Sequence, residues 1–86
     1  MNYSLTPKHQ HGLKILSTWL LELYDKDISV ILGSNIQIPI VDSLDLINFV
    51  VDDGEYTKEN GRLLNQIRWF YYNRTELQYL GFHQKD

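Results

Sequence analysis

Apolar residues in the first third of the chain recur every three or four positions, which is the period of a helix with one buried face. Thr6 and Pro7 predict where this helix begins, because threonine caps helix N-termini and proline is favoured at the first helical position. The helix is predicted to run to about Tyr24, with Leu21 and Lys14 on its outer side. Its predicted inner stripe consists of Leu13, Leu16, Leu20, Leu23 and Tyr24, widened by Ile15 and Trp19. A stripe this wide predicts burial on more than one side, by the rest of the domain or by a partner.

Two runs rich in isoleucine and valine, 28–32 and 36–41, predict a β-hairpin. The segment 33–35, of sequence Gly-Ser-Asn, lies between them and predicts a three-residue turn. In the second run isoleucine alternates with glutamine and proline, so the strand has one apolar face. Because proline has no backbone N–H to donate to a neighbouring strand, Pro39 predicts that this strand lies at the edge of a sheet.

Two further helices are predicted in the second half of the chain. The Asp-Ser pair at 42–43 predicts the cap of a short helix over 44–52, and Gly54 follows its end. The predicted core residues of this helix are Leu46, Ile47, Val50 and Val51. Thr57 predicts the cap of a longer helix, which runs over about 58–73.

Residues 75–82 predict either a third strand or a last helical turn ended by Gly81, and the alternating positions of Leu77 and Tyr79 favour the strand. The element order is then α-β-β-α-α-β. This order predicts an α+β fold in which the helices pack on a small antiparallel sheet, and it is also compatible with a winged-helix layout. At 86 residues the chain fits a single globular domain over residues 1–86.

Composition and charge narrow the classes of function. A hydrophobic fraction of 43% and an aromatic fraction of 13% argue against disorder. The formal net charge of −3 fits a nucleic-acid partner less well than a protein partner, because nucleic-acid-binding domains are usually strongly basic. The chain has no cysteine, no apolar leader and no apolar run long enough to span a membrane. We therefore expect a cytoplasmic protein without a membrane partner.

The residues that carry catalysis or bind metals in other proteins follow no recognisable pattern in this chain. His9 and His11 stand two positions apart near the start of a helix, where their side chains diverge, and His83 lies close to the end of the sequence. The glycines are scattered singly, which excludes a glycine-rich phosphate-binding loop. No serine or threonine occupies a nucleophile motif. We therefore expect no enzyme activity, no metal and no cofactor.

The longer of the second-half helices carries four consecutive aromatic residues, 69–72. Because a helix turns about 100° per residue, these side chains point around the whole cylinder and cannot share one core face. The predicted inner face consists of Leu63, Leu64, Ile67, Phe70 and Tyr71. Trp, Tyr and Arg dominate binding hot spots, so we predict a partner-binding surface on the opposite side. This surface, termed the aromatic–Arg patch, consists of Arg62, Asn65, Gln66, Arg68, Trp69, Tyr72 and Asn73. In the alternative interpretation, Trp69 packs in the core.

These observations predict a small non-catalytic interaction protein that acts as an adaptor, inhibitor or regulator of a larger protein complex. Four carboxylates near the start of the long helix, termed the acidic edge, would attract a basic surface of the partner. The acidic edge consists of Asp52, Asp53, Glu55 and Glu59.

Two alternative functions remain open. The first is a DNA-binding transcriptional regulator in which 44–52 and 58–73 form a helix-turn-helix. Its base contacts would come from Lys58, Asn60, Arg62, Asn65 and Gln66, and its phosphate contacts from Arg68 and Arg74. The acidic edge counts against this alternative, because carboxylates repel phosphates. The second is a homodimer through the excess apolar surface of Ile15, Trp19 and Leu21.

Overall fold

The computed structural model describes residues 2–33 and 35–81. Within these residues the chain forms three α-helices and five short strands, which confirms the predicted α+β class. In chain order they are β1 (Asn2–Ser4), α1 (Pro7–Asp25), β2 (Ile28–Leu32), β3 (Gln37–Pro39), α2 (Ile40–Asp53), β4 (Glu55–Thr57), α3 (Lys58–Tyr72) and β5 (Gln78–Gly81). A 3₁₀ turn, Arg74–Glu76, joins α3 to β5.

The strands form two antiparallel sheets. β2 lies between β3 and β5, so β3 occupies an edge, as Pro39 predicts. Pro39 is paired with Val30, and the register continues to Leu32 opposite Gln37. β5 confirms the strand predicted over 75–82 only from Gln78 onward, because residues up to Glu76 form a 3₁₀ turn, and Phe82 lies outside the described residues. The hydrophobic pattern predicts neither β1 nor β4, which pair with each other as a separate ribbon.

The start of α2 differs from the prediction. The strand predicted over 36–41 has only three residues, and α2 begins at Ile40, four residues before the predicted start. Ser43 does not cap this helix: it is buried inside the first turns, and its hydroxyl donates to the Pro39 carbonyl at 2.8 Å. Serine within a helix commonly makes this bond to the carbonyl four residues back. The Asp-Ser pair therefore fits a helix interior as well as a cap.

The hairpin between β2 and β3 is confirmed, but its connection is longer than the predicted three residues. Residues 33–36 join the two strands, and the Gly33 N–H donates to the Ile36 carbonyl at 2.8 Å. Ser34, in the predicted turn, lies outside the described residues. A Cβ at Gly33 would lie 2.7 Å from the ring of Phe70. The glycine thus lets the inner face of α3 approach the hairpin closely.

Most helix ends follow local chemistry that the sequence predicts. The Thr6 hydroxyl accepts the His9 N–H at 3.2 Å at the start of α1, and the Thr57 hydroxyl accepts the Asn60 N–H at 3.0 Å at the start of α3. Gly54 ends α2 with a φ of 75°, in the left-handed region that favours glycine. The predicted bounds of α1 and α3 and the predicted end of α2 are confirmed to within about a residue.

The core joins the three helices to the three-stranded sheet. Its fully buried large side chains are Leu20, Ile31, Ile40, Ile47, Val50 and Phe70. Four residues predicted to point inward, Ile15, Tyr24, Val51 and Leu63, are each at least 40% exposed. They lie at the margins of the helical stripes, and a domain of this size covers only a narrow face of each helix.

Candidate interaction surface

The inner face of α3 is filled by the core. Leu64, Ile67 and Phe70 are buried, and Tyr71 is half-buried with its ring edge-on to the ring of Trp19 at a centroid distance of 5.4 Å. These four residues confirm the predicted inner face apart from Leu63. The opposite side of α3 is therefore left to solvent.

Trp69 and Tyr72 lie on the solvent side of α3. Trp69 is 51% exposed and Tyr72 is 67% exposed. The ring of Trp69 contacts the ring of its neighbour Phe70 at a centroid distance of 5.4 Å, and the Arg68 guanidinium lies 5.5 Å from the centroid of the Tyr72 ring. The interpretation that places Trp69 in the core is wrong. The buried tryptophan of this fold is Trp19, which is 8% exposed.

The remaining members of the aromatic–Arg patch divide into two groups. The exposed members are Arg62, Asn65 and Arg68. Gln66 and Asn73 are half-buried. The side-chain amide of Asn73 donates to the Trp69 carbonyl at 2.8 Å, so Asn73 caps the end of α3 and has less capacity to bind a partner.

One straight row of side chains runs along the solvent side of α3. It consists of Lys58, Arg62, Asn65, Trp69 and Tyr72, and we term it the α3 stripe. The spacing alternates between four and three residues, which returns to the same side of a helix every two turns. The α3 stripe carries positive charge at its start and two aromatic rings at its end, and Arg68 adds a further positive charge beside Tyr72. Glu59 lies about 100° around the helix from Lys58.

A shallow depression of about 400 Å³ adjoins the start of the α3 stripe. One wall is the pair of Tyr3 and Tyr56, which face each other across the β1–β4 ribbon with ring centroids 5.6 Å apart. The other wall is α3 around Lys58 and Arg62. The two tyrosines are not predicted from the sequence, because strands of three residues are too short to show a periodic pattern.

A second depression of about 430 Å³ lies between α1 and the end of α3, and its lining includes Trp19 and Tyr71. The Arg74 guanidinium lies 4.2 Å from the centroid of the Tyr71 ring and donates to the Tyr71 carbonyl at 2.8 Å. The Tyr79 hydroxyl donates to the Arg74 carbonyl. Burial raises the pKa of Tyr79, and the charge of Arg74 lowers it to a smaller extent. Arg74 is thus engaged in local structure, which leaves it poorly placed for the phosphate contact of the helix-turn-helix alternative.

The four residues of the acidic edge are all exposed. Asp52 and Asp53 lie in the last turn of α2, where the helix dipole disfavours carboxylates. Glu55 accepts a hydrogen bond from the Asn2 side chain at 3.4 Å. Phe49, one turn before this end of α2, is 61% exposed. Sequence analysis does not single out Phe49, although the helical period places it opposite the buried residues of α2.

The predicted homodimer surface on α1 is only partly accessible. Ile15 and Leu21 are exposed, but Trp19 is buried against Tyr71 and has little surface to offer a second copy. The excess apolar surface of α1 is therefore smaller than the sequence predicts.

The two histidines within the described residues, His9 and His11, both lie on α1. The ring of His9 meets the ring of Tyr56 edge-on at a centroid distance of 6.3 Å, and His11 lines the depression beside α1. His83 lies outside the described residues. Within residues 2–33 and 35–81, no three histidine, cysteine, aspartate or glutamate side chains are grouped closely enough to hold a metal ion.

Comparisons with protein-family models, curated proteins and solved structures gave no match. None of the helices in the described part of the chain combines the length and the apolar character needed to cross a membrane.

Proposed function

We propose that this chain is a non-catalytic cytoplasmic interaction module, an adaptor, inhibitor or regulator of a larger protein complex, which binds its partner through the α3 stripe. The observation that supports this proposal most directly is the exposure of Trp69 and Tyr72 on a helix whose core face is already filled. Exposed Trp, Tyr and Arg side chains in one contiguous row are typical of binding hot spots.

The α3 stripe would act by becoming buried against the surface of the partner. Trp69 and Tyr72 would pack against apolar groups of the partner, because their rings bring a large contact area at a small cost in side-chain entropy. Arg62 and Arg68 would donate forked hydrogen bonds to partner carboxylates or carbonyls. The acidic edge would meet a basic region at the rim of the interface, where charge speeds association more than it strengthens the complex.

A pull-down from nuclease-treated lysate tests this proposal, using the wild-type chain, Trp69→Ala and Leu21→Ala. Leu21 is 48% exposed on α1, so Leu21→Ala removes a similarly exposed apolar side chain from another face. We expect the wild type and Leu21→Ala to retain a stoichiometric protein partner that Trp69→Ala loses. Equal retention by all three chains would contradict the proposal.

The purified partner then allows the effect to be measured by calorimetry. We expect Trp69→Ala to weaken binding by about 2 kcal/mol or more, roughly a 30-fold change in dissociation constant. Circular dichroism of the free variant shows whether it is folded. A folded variant that loses less than about 1 kcal/mol of affinity would show that Trp69 is not a hot spot.

DNA binding by α3 is the second candidate function. It is favoured by the single exposed row of Lys58, Arg62 and Asn65, since these residue types contact phosphates and bases. The acidic edge beside the start of that row opposes it.

Salt separates the two candidate functions. A complex held by phosphate contacts loses affinity steeply as salt rises, whereas an interface anchored by aromatic rings loses little. Reversing Asp52 and Asp53 to lysine sharpens the test, because it should strengthen DNA binding and weaken binding to a basic protein surface. Nucleic acid recovered in the absence of nuclease, without a protein partner, would favour the DNA-binding candidate.

A further inference from the structure

α2 carries an exposed row of its own, opposite its buried face. Asp42, Asp45, Phe49 and Asp52 follow a spacing of three, four and three residues, and we term this row the α2 stripe. Asp53 lies beside it, and α2 contains no basic residue. Phe49 is 61% exposed among these carboxylates, although its side chain has no polar group to keep in water. The α2 stripe is thus a helix face with acidic and aromatic character whose side chains are all exposed.

The α2 and α3 stripes are complementary in charge. Asp53 brings the negative charges of the α2 stripe to four, and Arg68 brings the positive charges of the α3 stripe to three. Each row also holds exposed aromatic rings, Phe49 on one and Trp69 with Tyr72 on the other. A helix face of this composition fits the oppositely charged row better than it fits a copy of itself.

The two stripes are also matched in length and spacing. α2 has 14 residues and α3 has 15, which at 1.5 Å per residue makes each helix roughly 21 to 22 Å long. Both rows alternate steps of three and four residues, the spacing that keeps a straight seam between two helices packed side by side. The partner that fits the α2 stripe is therefore a helix of about this length, with cationic and aromatic side chains at this spacing.

We propose that the occupant of the α2 stripe is the α3 stripe of a second copy of this chain. α2 and α3 pack against each other within one molecule, so the two stripes belong to neighbouring helices. In the proposed dimer, a two-fold axis relates the copies and sets α3 of each on α2 of the other. The dimer closes with two identical contacts, as the symmetry of most homodimers requires.

The size of the two faces sets the expected strength of the dimer. Two helix faces, each about 20 Å long and about 10 Å wide, amount to roughly 400 Å² of projected area per copy, compared with about 800 Å² per partner in a standard stable interface. We therefore expect a weak and reversible dimer. Because its charges lie close to solvent, added salt weakens it.

Dimerisation shares the α3 stripe with the proposed partner-binding function but does not depend on it. A second copy of the chain would compete with the partner for the α3 stripe. A chain that dimerises and binds no partner would uphold the dimer alone, and a strictly monomeric chain that binds a partner would uphold the proposed function alone.

The dimer is tested by a charge swap. One variant combines Asp45→Lys with Asp52→Lys, and the other combines Arg62→Glu with Arg68→Glu. Each variant alone places like charges on the stripes that should meet, so neither should dimerise. An equimolar mixture of the two places opposite charges at both contacts, so the mixed dimer should form. Sedimentation velocity at low salt, about 25 mM, measures association where charges are least screened.

Matched control variants make the same changes in net charge at exposed positions on α1. The pair Glu22→Lys and Asp25→Lys on α1 changes the net charge as the first variant does, and the pair Lys8→Glu and Lys14→Glu changes it as the second does. All four residues are exposed. These controls should dimerise within about threefold of the wild-type dissociation constant, because the charges lie outside both stripes. Circular dichroism confirms that each variant is folded.

The expected result is that each charge-swap variant raises the dissociation constant at least about 30-fold, and that the mixture returns to within about threefold of the wild type. A wild-type chain that stays monomeric at low salt up to about 1 mM would overturn the proposal. So would a dimer that both variants leave intact, since it would use another surface such as Ile15 and Leu21. Loss of the dimer in both variants without recovery in the mixture would also overturn it.

Discussion

Trp19 on α1 and Trp69 on α3 lie in opposite environments. Trp19 is 8% exposed, and its ring meets Tyr71 of another helix edge-on. Trp69 is 51% exposed, and its ring contact is with its own chain neighbour Phe70. Trp19 joins two helices, whereas no element in the described residues buries Trp69 to the same degree. In this small fold, the aromatic residues in excess of the core are the ones on which the proposed binding surface rests.

Truncating the two tryptophans should give the largest contrast. We expect Trp19→Ala to lower the free energy of unfolding by about 3 to 5 kcal/mol, because it leaves a cavity between α1 and α3. Trp69→Ala should change it by less than about 1 kcal/mol, since the removed side chain is half in solvent. Urea unfolding followed by circular dichroism measures both. Equal losses of stability would show that Trp69 serves the core and would remove the basis of the proposed function.

The inner face of α3 can be disturbed without touching either tryptophan. Gly33→Ala adds a Cβ that would lie 2.7 Å from Cζ of the Phe70 ring, which is too close for two carbon atoms in contact. We expect a loss of about 1 to 3 kcal/mol in the free energy of unfolding, the usual cost of overpacking. Gly12→Ala is the matched control, because nothing lies within 4 Å of a Cβ there. The control should be neutral or stabilising by up to about 1 kcal/mol, since alanine is the better helix former. A neutral Gly33→Ala would mean that Phe70 moves freely and does not hold α3 in place.

Removing the N-terminal cap of α1 or of α3 should have a smaller effect on stability, and only the cap of α3 should also affect partner binding. We expect Thr57→Ala and Thr6→Ala each to cost about 1 kcal/mol of unfolding free energy, because each removes one capping hydrogen bond. Only Thr57→Ala should also weaken partner binding, since it loosens the turn that carries Lys58 and the start of the α3 stripe. The two variants are compared by urea unfolding and by titration with the partner. Equal weakening of binding by both would point to a general loss of stability.

The stability of the fold should also depend slightly on pH through Tyr79, whose hydroxyl donates to the Arg74 carbonyl. Because burial raises the pKa of Tyr79 above the ordinary 10.0, the folded state holds this proton more tightly than the unfolded state does. The resulting stabilisation is complete below pH 10 and is lost as the pH rises above it. Absorbance titration of wild type against Tyr79→Phe should show a tyrosine that ionises late. A titration midpoint for Tyr79 at or below pH 10.0 would contradict the effect of burial on its pKa.

Local chemistry explains what the sequence predicts correctly. Thr6, Thr57 and Gly54 mark helix ends through hydrogen bonds or backbone conformations that involve only near neighbours, so their roles can be read without a fold. The edge position of β3 follows from one missing N–H at Pro39.

The errors come from effects that act over long distances in the chain. The alternating isoleucines before α2 predict a strand as far as position 41, but packing makes Ile40 a buried first residue of the helix. β1 and β4 are too short for a pattern and depend on pairing between distant segments. The sequence places Trp19 at the margin of an inner stripe and Trp69 on an outer side. It leaves a second interpretation open for each, because the neighbouring elements decide which ring is covered. For the same reason, the sequence does not predict that Lys58 and the tyrosine pair lie beside the aromatic–Arg patch.

The β1–β4 ribbon sets an order of events in folding. Asn2 and Glu55, which it brings together, are 53 positions apart, and only three residue pairs form once that loop is closed. We expect such a contact to form late during folding and to open first under native conditions, because the entropy of closing a long loop is offset by few interactions. Backbone amides of the ribbon should therefore exchange with solvent faster than those of β2. One wall of the depression beside Lys58 would then form and open on its own timescale, while the core remains folded.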